Sequence, residues 1–104
     1  GDVYKRQEYV DKLPQEQIPI YADSGEELYT WEELQTLLRE ALAKLPENYR
    51  YVFEKNRFEN KSYGEIAEDM QISIRTVERY KNKAIEILKT ELKDYLPLFI
   101  GWLF

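Results

Sequence analysis

Five polar side chains crowd one short stretch of this 104-residue chain: Arg75, Glu78, Arg79, Asn82 and Lys83. At helical spacing they share a face opposite Ile74, Val77 and Ala84. These side-chain types can read the edges of bases. Arginine bonds guanine through two donors, asparagine pairs in the same way with adenine, and glutamate accepts from the cytosine amine. Ser73 and Thr76 stand at the start of the same stretch, where free backbone N–H groups suit a phosphate. Lys61, Ser62 and Tyr63 open the preceding segment and are placed to touch a nucleic-acid backbone. From Ser73 to Lys83 the charges are Arg75, Arg79, Lys81 and Lys83 against Glu78 alone. A solvated face is the bland reading of such a set. It fits single residues better than it fits the group.

The elements that must hold these residues lie in Ser62 to Leu88, SYGEIAEDMQISIRTVERYKNKAIEIL. Ser62 with Glu65 three residues on has the spacing of a capping box. Ile66, Ala67 and Met70 form the inward face of a short helix. Gln71-Ile72 is the turn, with Ile72 as its plug. Ser73 caps a second helix with Ile74, Val77, Ala84 and Leu88 inward, and the small Ala67 lets the two helices cross closely. This is the pattern of a helix-turn-helix, whose second helix enters the DNA major groove. The turn position commonly held by glycine is Gln71. A positive φ there would cost about 1 kcal/mol, so a slightly different turn is expected. Tyr80 has two open roles, packing inward or bonding a phosphate. Lys81 can lay its stem on the core while its ammonium reaches water or phosphate.

Upstream, residues 1–13 read as a short weak helix ended by Pro14. Residues 14–29 hold two prolines, a Ser-Gly pair and an acidic run, and read as an extended linker. Thr30 and Glu33 make a second capping box. Leu34, Leu37, Leu38, Ala41 and Leu45 then recur at helical spacing, so Trp31 to Lys44 is expected to be an amphipathic helix. Leu45-Pro46 breaks it. Pro46 is placed in the first turn of the next helix, about Glu47 to Arg57, with Tyr49, Val52 and Phe53 inward. The last helix should run about twenty residues from Ile74, since nothing breaks it before Pro97. The tail LPLFIGWLF is apolar but far shorter than the ~20 residues a membrane span needs. Folding back on the core, binding a partner or a second copy, and fraying are its three readings, the first preferred. The fold class is therefore all-α: a four-helix domain over 30–96 with a C-terminal helix-turn-helix and a long last helix.

Composition narrows the functions. The chain has 43% hydrophobic residues, enough for a modest core, with no cysteine and no histidine. Disulfides, thiolate metal sites, cysteine nucleophiles and imidazole bases are excluded together. No glycine-rich phosphate loop accompanies the carboxylates, so neither an enzyme nor a cofactor is expected. The net charge is −5, but its distribution matters more. Residues 1–40 carry 4 basic and 10 acidic groups, whereas residues 61–104 carry 7 of each. The acidic run reads first as a solubilising spacer, and second as a strip lying on the basic helix.

LPENYRYVFEKNRFENKSYGEIAEDMQISIRTVERYKNKAIEILKTEL resembles region 4 of bacterial RNA polymerase sigma factors, of the extracytoplasmic-function (group IV) type. The resemblance covers about Glu33 to Leu96. It is carried by Leu45-Pro46, Arg50 and Phe53, Arg57-Phe58-Glu59, Ser62-Tyr63-x-Glu65-Ile66-Ala67 and Ile72-Ser73-x-x-Thr76-Val77-Glu78. KDYLPLF is similar to the end of many such factors from Bacteroidetes-like bacteria. The resemblance implies a domain that reads the minus-35 promoter element and docks on the polymerase β-flap. It implies that the positions of Arg75, Glu78, Arg79, Asn82 and Lys83 face the major groove. It also implies a groove, lined by Leu37, Leu38, Tyr49, Val52 and Phe53, that receives the flap-tip helix, a sensible binding mode for an apolar groove. Nothing in the chain corresponds to region 2, so a C-terminal fragment is expected, with residues 1–29 as the end of region 2 plus a linker. A cytoplasmic location and an anti-sigma partner go with this reading. Two alternatives stay open. One is a LuxR-type response-regulator output domain, dimeric through its last helix and apolar tail. The other is a protein-interaction module without DNA binding.

Overall fold

A computed structural model describes residues 30–95 and residue 99; the expected helix over 1–13, the linker over 14–29 and most of the tail lie outside these. Four α-helices form, and no strand occurs among the described residues: α1 Trp31–Ala43, α2 Glu47–Arg57, α3 Tyr63–Met70 and α4 Ile74–Glu91. A single 3-10 turn, Lys93–Tyr95, follows α4. The all-α expectation is met. None of the described helices is long and apolar enough to cross a membrane.

Helix α1 begins as its sequence dictates. The Thr30 hydroxyl accepts from the Glu33 N–H at 3.1 Å, and the Glu33 carboxylate accepts from the Thr30 N–H at 3.2 Å. Leu34, Leu38, Ala41 and Leu42 then face inward and are buried. Pro46 sits one position earlier than expected. It is the N-cap of α2, with ψ 147°, and not a residue of its first turn. The physics is unchanged, because its missing N–H would be unpaired at either position. The Arg50 guanidinium donates to the Leu45 carbonyl at 3.2 Å and closes the α1–α2 joint. Phe53 meets Phe58 edge-on at 6.2 Å, anchoring the connection to α3.

The buried side chains form two clusters. The larger joins Leu34, Leu38, Ala41, Leu42, Leu45, Phe53, Ala84, Leu88, Leu92 and Phe99. The smaller joins Val52, Ile66, Ala67 and Val77, with Tyr63, Met70, Ile72 and Tyr80 partly buried against it. Helix α4 serves both, its first half packing on the smaller and its second half on the larger. Phe99 is fully buried in the larger cluster, so at this position the tail does return to the core.

Helix α4 runs 18 residues from Ile74, close to the expected twenty. It stops at Glu91, where Leu92 takes φ −104° and ψ 18°. The Leu92 N–H still donates to the Leu88 carbonyl at 2.9 Å, and the Tyr95 N–H closes a tighter turn on the Leu92 carbonyl at 2.8 Å. Leu92 is left 1% exposed, on the same buried side as Leu88. Lys44 reaches Glu91 at 3.1 Å and pairs the two helix ends.

Candidate nucleic-acid interface

The capping chemistry of the motif is as its spacing requires. The Ser62 hydroxyl accepts from the Glu65 N–H at 3.0 Å, and the Glu65 carboxylate accepts from the Ser62 N–H at 2.9 Å. That bond from the Ser62 N–H, and the one to the Ser62 side chain, hold the Glu65 carboxyl below the usual glutamate range. At α4, the Ser73 hydroxyl accepts from the Thr76 N–H at 3.0 Å and lies 2.9 Å from the Thr76 hydroxyl.

The turn departs from expectation. Gln71 adopts the left-handed conformation itself, φ 57° and ψ 47°. The Gln71 N–H donates to the Glu68 carbonyl at 3.2 Å and the Ile72 N–H to the Ala67 carbonyl at 3.0 Å. These two bonds make a Schellman motif. They satisfy carbonyls that α3 would otherwise leave unpaired, and Ile72 is drawn onto Ala67 in the small cluster. The gain holds Gln71 in a conformation that favours glycine. Asn60, φ 57°, does the same in the α2–α3 connection, where asparagine is a tolerant choice.

Helix α4 presents Arg75, Glu78, Arg79, Asn82 and Lys83 to solvent, while Val77 and Ala84 are fully buried. The expected reading face is therefore assembled on one helix. The Arg79 guanidinium lies 5.7 Å from the Tyr80 ring centre. Lys83 is 3.8 Å from Glu86, with both side chains more than half exposed; such a pair is weak and easily exchanged for a phosphate. Ser62 and Ser73 are exposed, and Lys61, Tyr63 and Thr76 half-buried. The two serine oxygens are engaged as caps.

Three side chains differ from expectation or settle an open one. Ile74 points outward and is 51% exposed. It lies in the first turn of α4 at the edge of the buried stripe, roughly 60° around the helix from Val77, and does not join the core. Tyr80 packs inward, its ring 5.3 Å from that of Tyr49. The Lys81 ammonium is engaged within the domain. It donates to the Asn56 side-chain carbonyl and lies 5.4 Å over the Tyr63 ring. The Asn56 amide in turn donates to the Lys61 carbonyl at 2.8 Å. Lys81 thus ties α4 to α2 and to the start of α3. That tie brings the Lys61 carbonyl and the Tyr63 ring near Lys81 in the middle of α4.

The expected polymerase-docking set divides. Leu38, Val52 and Phe53 are at most 1% exposed and have no surface to offer a partner, because each closes a core cluster. Leu37 and Tyr49 are half-buried. Tyr51, absent from the set, is exposed on α2 with the Lys55 ammonium 5.3 Å over its ring.

A scan against protein-family descriptions matches "Sigma-70, region 4" over residues 35–88, just over half of the chain. Searches of curated proteins and of solved structures find no match.

Proposed function

From a chain that belongs to the sigma-70 region 4 family, a family of DNA-binding domains of transcription initiation and not of enzymes, we propose recognition of the minus-35 promoter element through α4. Arg75, Glu78, Arg79, Asn82 and Lys83 read base edges in the major groove. Ser73, Thr76, Lys61, Ser62 and Tyr63 fix the register on phosphates. The observation that carries this reading is the division of α4, with Arg75, Glu78, Arg79, Asn82 and Lys83 outside and Val77, Ala84 and Leu88 inside. A promoter-binding role belongs in the cytoplasm.

The finer assignment is to the extracytoplasmic-function, Bacteroidetes-like type. It rests on the Leu45-Pro46 joint, Arg57-Phe58-Glu59 and KDYLPLF. Docking on the β-flap of RNA polymerase, or on an anti-sigma factor, falls to the partly open Leu37 and Tyr49. A dimer through the tail would have to form without Phe99, which is buried in the chain's own core.

Basic groups concentrate on one helix of a chain with net charge −5, so binding by the chain alone should be weak and salt-dependent. The expected log–log slope is about −0.9 per phosphate contact. The test is selection from a random duplex library, followed by titration of the enriched site. Arg79→Ala should weaken binding by about 1–3 kcal/mol and alter the preferred base at one position. Enrichment of nothing would sink the reading. Equal loss on scrambled DNA would make Arg79 a phosphate contact only.

A further inference from the structure

We propose that Ile74 determines specificity within this interface, its exposed side chain packing on the C5-methyl group of a thymine in the major groove. The inference rests on the DNA-recognition reading above and adds a residue to it. Among the described residues only two large apolar side chains are exposed, Tyr51 at 36% and Ile74 at 51%. A single exposed isoleucine is ordinary on a protein surface. This one occupies the first position of α4, directly after the Ser73 cap. In helix-turn-helix docking, the N-terminal residues of the second helix are the ones that meet base edges.

Its neighbours are groups that address DNA. Arg75 follows it in the chain, and Glu78 lies one turn on, roughly 40° around the helix. An apolar group at the edge of a charged reading face has one complementary partner in the groove. Thymine alone presents a methyl there. Burying Ile74 on that methyl removes apolar surface from water on both sides. Ile74 is the one large apolar side chain exposed on α4 among the described residues, whereas Arg75, Glu78, Arg79, Asn82 and Lys83 all end in polar groups.

The experiment uses the site selected by the 104-residue chain. Each thymine is replaced singly by deoxyuridine, which deletes the C5-methyl and leaves base pairing intact. Affinities are measured for the wild-type chain and for Ile74→Ala, with helicity checked by circular dichroism. At one position deoxyuridine should weaken wild-type binding about fourfold, the worth of one buried methyl, and Ile74→Ala should lose that discrimination. Insensitivity of the wild type at every thymine would overturn the inference. So would Ile74→Ala retaining the full deoxyuridine penalty. Failure of the wild type to select any site is a different result, which removes the DNA-recognition reading and this inference with it.

Discussion

The two ends of the domain are held together by different means. The scaffold end, built from α1, α2 and the second half of α4, buries ten residues in one cluster, Phe53, Phe99 and four leucines of α1 and its end among them. The motif end buries four, namely Val52, Ile66, Ala67 and Val77. Beside these it has directional contacts: the Ser62–Glu65 capping box, the Ser73 cap, the paired bonds of the Gln71 turn and the Lys81–Asn56 tie; the scaffold end has the Thr30–Glu33 box and the Arg50–Leu45 bond beside its larger core. The reason is functional geometry. A helix that offers one face to a partner must leave that face polar and uncovered, so little of it remains for a core. Hydrogen bonds then set the angle of α4, a task that non-directional apolar burial performs poorly.

If the scaffold end supplies the common foundation, its disruption should be the most costly. Phe53→Ala is expected to destabilise the domain by about 3–5 kcal/mol, read by chemical denaturation, with amide protection lost at both ends together. Protection retained in α3 and early α4 would show instead that the motif end folds by itself. A smaller effect should follow at the tie. Asn56→Leu leaves the half-buried Lys81 ammonium and the Lys61 carbonyl without their partner and should cost about 1–2 kcal/mol. Exchange should quicken in α3 and the first half of α4 and stay unchanged in α1. Adding Lys81→Met should restore most of the loss, because a matched apolar pair replaces a broken polar one. Failure to restore it would mean that the hydrogen bond has no directional role. The smallest effect belongs to the turn. Gln71→Gly should stabilise the domain by about 0.5–1 kcal/mol by relieving the left-handed φ. Destabilisation would show that the Gln71 side chain makes up for its backbone.

Legibility in the sequence also divided along these lines. The capping boxes at Thr30 and Ser62 and the Ser73 cap were readable, because each links residues three apart. So were the inward positions Leu34, Leu38, Val52, Phe53, Ile66 and Val77, which follow helical period. Helical period alone puts Ile74 near Val77 and so inward, yet it is 51% exposed. Whether an edge position is covered depends on which helix crosses there, and α3 leaves it open. Leu38, Val52 and Phe53, expected from sequence to line a docking groove, show the same limit from the other side. An apolar stripe is visible in sequence, but the share of it that neighbouring helices consume is not.

The sequence by itself determined the four helices, their starts, the helix-turn-helix and the side-chain types on its outer face. These depend on neighbours within one or two turns. Only the tertiary structure decided that Tyr80 turns inward to Tyr49, that Lys81 spends its charge on Asn56, and that Ile74 stays in water. Lys81 and Asn56 are 25 residues apart, and Tyr49 and Tyr80 lie on different helices. Such contacts are chosen by how the helices pack, and helical periodicity carries no record of the partner.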